Sequence, residues 1–351
     1  MRKFFGAMVA VLTAASVLSG CSGAPGSGEK RAPGAAVVVV SGGDAVSPFT
    51  TRDQACATGL AAGNTDTAIR EYLLGKGYTV YTSPAMNGRG QVVDQQGFGA
   101  FGVCPVTLPE NMTVNSTGSI DTAGEHLARF INWLHDDKGV TEVDFVAHSM
   151  GGLYSRAAIR VLATTGSKVK IRSLTTVGTP WQGSYLSDYA NDLIQLSDCR
   201  GDKLCESAMK AFKDRVLQLM AGSGREVNKN FLTGKGGWNE FQSGVLDQIP
   251  VVLIAGEKFT APGPANPGVW PNDGLVADES ALAKSVTDPV LPHRRCYAFD
   301  DTHSIFVSNA AGLEWKTALT WDPRVFDVLH QAIEAAPKAL DGANREGCPA
   351  P

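Results

Sequence analysis

Apolar and polar positions along the chain switch between a two-residue and a three-to-four-residue period, and the switching predicts an order of elements. Ala35 to Val40 is an unbroken apolar, β-branched run ending at Ser41-Gly42-Gly43. Such a run predicts a central strand covered on both faces of a parallel sheet. Thr65 to Leu74 has helical composition and stops at Gly75 and Gly77, and Tyr78 to Thr82 reads as the next strand. Ser83 to Asn115 holds no period and predicts a surface excursion. A helix is expected from about Thr122, with Thr122 to Glu125 in capping-box form and Leu127, Phe130, Ile131 and Leu134 on one face.

Val143 to Ala147 is again short and β-rich, and Leu153, Ala157, Ala158, Val161 and Leu162 then restore near-helical spacing up to Thr164-Thr165-Gly166. Ile171 to Val177 supplies another strand. From Tyr185 to about Ile249 the alternation breaks down, apart from an amphipathic stretch carrying Met209, Phe212, Val216, Leu219 and Met220. Val251 to Gly256 and Arg295 to Phe299 read as the remaining strands, the latter as the last, and Val325 to Ala339 as a closing helix. Strands separated by helices at this spacing predict an α/β chain with a mostly parallel, doubly wound sheet, and the aperiodic segment 185–249 predicts an inserted cap.

Composition narrows the function classes. The 351 residues carry a net charge of −4 with no Lys/Arg-rich run, which gives no electrostatic footprint for nucleic acid, and 43% hydrophobic residues suffice for the core of one α/β domain. At the amino terminus Arg2 and Lys3 precede an apolar stretch from Phe4 to Val17 and then Leu18-Ser19-Gly20-Cys21. This segment resembles the lipobox of bacterial lipoproteins, and the apolar core is too short to span a bilayer. The resemblance implies a signal peptide over 1–20, a lipid on Cys21, a flexible Gly/Ser/Ala/Pro-rich tether over 21–34, and a protein held at the cell envelope outside the cytoplasm. Of seven cysteines, setting Cys21 aside leaves six that can pair completely. If each bridge closes a local excursion, the pairs are Cys56 with Cys104, Cys199 with Cys205, and Cys296 with Cys348.

The chemistry centres on Ala147-His148-Ser149-Met150-Gly151. A serine between small residues, at the end of a strand and the start of a helix, resembles the nucleophile elbow of the α/β-hydrolases, with Ala147 in the place of the usual first glycine. One strand later, Gly178-Thr179-Pro180-Trp181-Gln182-Gly183-Ser184 is similar to the corresponding turn of bacterial triacylglycerol lipases. Pro271 to Val276, containing Asn272-Asp273-Gly274, is similar to their acid loop. The resemblance covers about Ala35 to Phe306 and implies an α/β-hydrolase domain over 35–351, with serine, acid and histidine in that order.

It assigns Ser149 as nucleophile and Asp273 as acid, with Asp300 and Asp301 as rivals to Asp273. Among six histidines, His126, His135, His148 and His330 sit in or beside helices or in the elbow, and His293 precedes a strand. His303 follows the Arg295–Phe299 strand, where the base of this fold belongs. The oxyanion donors implied are the N–H of Met150 and that of Gly43, or else of Asp44, since the histidine usual before that glycine is missing. No cofactor and no metal are expected. The expected partners are a lipid or small ester as substrate and a membrane reached through the lipid anchor. An acyltransferase using the same triad, or a non-catalytic envelope-binding lipoprotein on this scaffold, are the alternatives.

Overall fold

A computed structural model describes residues 33–51, 65–92, 106–219, 222–340 and 345–348. The expected signal segment, Cys21 and the expected Cys56–Cys104 pair lie outside the described residues. The description concerns the compact unit that starts at Gly34.

Seven strands form one sheet: β1 (Ala35–Val40), β2 (Val80–Thr82), β3 (Glu142–His148), β4 (Lys170–Val177), β5 (Val251–Gly256), β6 (Arg294–Phe299) and β7 (Arg345–Glu346). Their spatial order is β2-β1-β3-β4-β5-β6-β7, and every neighbouring pair is parallel. The order reverses at β1, so the carboxyl ends of β1 and β3 open onto a crevice where open α/β sheets place their ligands. Helices cover both faces: α1 (Thr67–Gly75), α2 (Ile120–Lys138), α3 (Gly151–Thr164), α4 (Tyr185–Ala190), α5 (Lys203–Leu219), α6 (Ile305–Ala310) and α7 (Pro323–Ala335). Val38, Val40, Phe145 and Ala147 face α2 and α3 in one buried cluster, while Val37, Val39, Val146 and Ile254 face α1 and α7 in another. The fully apolar strands β1 and β5 owe their composition to this double cover.

Several boundaries differ from those expected. The helix expected from Thr122 begins at Ile120, because the Ser119 side chain accepts from Thr122 N–H, so Ser119 is the cap. The strand expected from Tyr78 starts at Val80. The closing helix ends at Ala335 and tightens to a 3₁₀ turn over Ala336–Lys338. Arg294–Phe299 is not the last strand, since β7 pairs outside it, held by the Cys296–Cys348 disulfide. The excursion after Ser83 contains a two-stranded parallel pair, Ala85–Met86 with Val114–Asn115. In the inserted segment, α4, α5 and shorter helical turns pack over Val269 and Trp270, and Cys199–Cys205 closes the turn into α5.

Helix α2 lies against α3 with almost no clearance: a Cβ on Gly124 would stand 2.3 Å from Ala157 Cβ and 2.8 Å from the Ala157 carbonyl carbon. Gly124→Ala gains about 1 kcal/mol of helix propensity, but the overlap forces backbone apart and dominates. Urea unfolding should show a net loss of about 1–3 kcal/mol for this variant.

Candidate active site

Ser149 stands between β3 and α3 with φ +55°, in the left-handed region that a non-glycine residue enters only under constraint. Three contacts supply the constraint. Ser149 N–H donates to Val177 O at 2.8 Å, Thr179 Oγ1 donates to Ser149 O at 2.7 Å, and Gly152 N–H donates to the same carbonyl at 3.1 Å. The turn also needs absent side chains: a Cβ on Gly151 would stand 2.4 Å from Val40 O, and one on Gly42 would stand 2.5 Å from Ser149 Cβ. Thr179, in the Gly-Thr-Pro turn, is therefore a support of the elbow that sequence reasoning saw only as part of a turn.

Two loops carry the candidate acid and base. Asp273 is fully buried after β5; its Oδ1 accepts from Leu275 N–H at 2.9 Å and Val276 N–H at 2.8 Å, and its Oδ2 lies 2.7 Å from His303 Nδ1. His303 N–H also donates to Asp273 O at 2.7 Å, so backbone and side chain tie the two loops together. With Nδ1 held by a carboxylate, the arrangement favours the tautomer whose Nε2 is free to accept, and Nε2 is a buried atom without a hydrogen-bond partner among the described residues. His303 and Ser149 line one cavity of about 760 Å³.

The rival acids point elsewhere. Asp300 is exposed and paired with Lys258 at 3.1 Å, and the Asp301 carboxylate faces Asp322 and Arg324. Burial, followed by Asp322, pushes Asp301 up to about 7. Of the other histidines, His126 Nδ1 binds Thr113 O, His135 pairs with Asp136, His330 binds Tyr78 Oη, and His293 Nε2 lies 3.1 Å from Asp247 O. His148 alone touches His303.

On the oxyanion side, Asp44 N–H is committed to Ser116 O at 3.2 Å. Gly43, the other candidate donor of this loop, lies beside Met150: a Cβ on Gly43 would meet Met150 Sδ at 2.6 Å. Asp44, at φ +55°, reaches out instead to Arg215 of α5, 2.7 Å away. A second cavity of about 220 Å³ opens from Ser149 beneath α5, lined by apolar groups that include Leu186, Phe212, Val216 and Val227.

The sheet order, the left-handed serine between β3 and α3, and the acid and histidine on loops after β5 and β6 define an α/β-hydrolase fold. Comparison with known proteins finds partial likenesses. Residues 103–198 match the family described as "Putative serine esterase (DUF676)". Triacylglycerol lipases of Pseudarthrobacter phenanthrenivorans and Burkholderia plantarii are each 33% identical over 100 residues, 28% of this chain. The chain spans under a third of either relative, 29% and 26% of their lengths. The structure of Bacillus licheniformis lipase BlEst2 in its propeptide form aligns with 92% of this chain and 54% of that chain, at 15% identity and TM-score 0.48.

Gly178, at φ +60°, offers a test of the site's geometry. A Cβ there would stand 2.9 Å from His303 Nδ1 and 3.1 Å from Asp273 Oδ2. If Asp273 and His303 act together in catalysis, displacing them by an ångström costs on the order of a hundredfold in rate. Gly178→Ala should therefore depress kcat by at least about tenfold while KM hardly moves, measured on a soluble ester.

Proposed function

We propose that the protein is a lipase-like serine ester hydrolase, and that Ser149, His303 and Asp273 are its catalytic triad. The observation that carries the reading is the Asp273–His303 hydrogen bond of 2.7 Å, with the unpartnered Nε2 in the same cavity as the strained serine. Ser149 Oγ attacks the ester carbonyl carbon while His303 Nε2 takes its proton. Asp273 fixes the tautomer and stabilises the resulting imidazolium. Met150 and Gly43 N–H groups bind the oxyanion. Collapse expels the alcohol, which takes the proton from His303, and water then repeats the sequence on the acyl-enzyme, releasing the acid and restoring Ser149.

Lipid esters are the proposed substrates. The 220 Å³ apolar cavity under α5 suits an acyl chain, and the wider 760 Å³ cavity with its polar groups suits the alcohol part. The similarity to triacylglycerol lipases, confined to about a hundred residues, supports the same choice. The Cys21 segment supports a lipid-anchored protein of the cell envelope, outside the cytoplasm.

Hydrolysis of p-nitrophenyl esters from acetate to palmitate tests the reaction. Ser149→Ala should abolish turnover, and Asp273→Asn should lower kcat by on the order of 10³–10⁴ through the wrong tautomer. Hydrolysis that survives in Ser149→Ala would end the reading. The anchor is tested separately: metabolic labelling with palmitate should mark the full chain in a bacterial host and disappear in Cys21→Ser.

A further inference from the structure

Behind His303 lies a second acid and a second histidine that the mechanism above leaves unused. The buried His148 ring packs on that of His303, centroids 4.7 Å apart, and its Nε2 is 3.1 Å from the His303 carbonyl oxygen. A carbonyl can only accept, so Nε2 carries the proton and donates. The other ring nitrogen, Nδ1, faces Asp66 Oδ1 at 3.6 Å, beyond a hydrogen bond but well within Coulombic reach. Asp66 occupies the N-cap position of α1, yet its side chain caps no N–H. It turns inward, wholly buried, and accepts from Ser41 Oγ at 2.7 Å and Thr65 Oγ1 at 3.3 Å.

We propose that Asp66 and His148 form a positioning pair behind His303. His148 holds the histidine loop through the hydrogen bond and the ring contact, and Asp66 is a carboxyl whose ionisation favours the imidazolium that His303 becomes during turnover. The proposal rests on the triad reading.

The surroundings contain few competing charges. Asp273 approaches His303 from the β5 loop. Asp301, on His303's own loop, faces Asp322 and Arg324 at the start of α7. Arg70, one turn along α1 from Asp66, donates to Thr51 O. Tyr185 Oη donates to Gly274 O, and its phenol is held well above its usual value by burial and then Asp273. Among the described residues, no lysine or arginine pairs with Asp66.

Burial pushes Asp66 up to about 7, against the Ser41 and Thr65 hydrogen bonds and the attraction of His303. Burial and then His303 keep His148 well below the ordinary imidazole range. Below about pH 7 the pair is therefore neutral, with its proton on Asp66. Above it, one negative charge stands behind His303, and His148 adds no competing cation. An anion there lowers the barrier to imidazolium formation, so kcat rises as Asp66 loses its proton.

The test compares the kcat–pH profiles of the full protein, Asp66→Asn and Ser41→Ala on p-nitrophenyl butyrate. Asp66→Asn should match the parent within about twofold near pH 5.5, fall about five- to tenfold behind near pH 8.5, and keep its KM. Ser41→Ala removes a donor that favours the ionised form, so its upper step should move about one pH unit higher. An Asp66→Asn profile superimposable on the parent, or lower by one constant factor at all pH values, overturns the proposal. If Asp66→Asn fails to fold, an unmoved step in Ser41→Ala does the same.

Imidazole NMR of His303 in a Ser149→Ala background reads the pair without any ester. A second inflection near pH 7 that vanishes with Asp66→Asn supports the pair, and its absence from the parent overturns it. An inactive parent that still shows the inflection would instead count against the esterase reading alone.

Discussion

The carboxyl end of β1 and the first turn of α3 come so close that no side chain fits between them, and the site depends on that approach. Val40 O stands 2.4 Å from where a Cβ on Gly151 would be, and Gly42 leaves the matching space beside Ser149. The approach forces the serine into the left-handed region and aims its hydroxyl into the crevice between the two halves of the sheet. The Val177 carbonyl and the Thr179 hydroxyl then fix the turn from the neighbouring strand. The strain is therefore borne by three elements, none of which contains the acid or the histidine.

The acid and the histidine are organised differently. Their loops are irregular, and what defines them is mutual bonding: Asp273 receives two backbone N–H groups, binds His303 Nδ1, and accepts the His303 N–H on its carbonyl. Gly178 keeps open the space through which this contact passes. A serine held by strand packing thus meets a histidine whose orientation comes from a closed hydrogen-bond ring.

This division also explains what could be read from the sequence. The sheet strands were legible because double burial leaves them purely apolar, and the elbow because close packing restricts Ala147, Gly151 and Gly152 to small residues. The partner of His303 was harder, since Asp273, Asp300 and Asp301 are equally acidic as text, and only the fold shows Asp301 turned toward Arg324 and Asp300 toward Lys258. Asp66 carried no signal at all: an aspartate before a helix reads as a cap, and here the side chain caps nothing. Boundaries slipped where a hydroxyl decided them, as at Ser119. The short β7 escaped notice because two residues carry no period; its place follows from pairing to β6 and from the Cys296–Cys348 bond.

That covalent tie also bears on the order in which a nascent chain matures. Ser149 and its helix belong to the first half of the polypeptide and can settle as soon as β1, β3 and β4 are available. The strand that leads to His303 is an inner strand only after residues 345–346 have joined it, and Cys348, which ties that edge to β6, emerges long after Ser149. Synthesis from the amino end therefore releases Ser149 long before the edge strand that flanks the one leading to His303. The outer edge beside β6 is thus completed late in synthesis, by the pairing of β7 and by the Cys296–Cys348 bond.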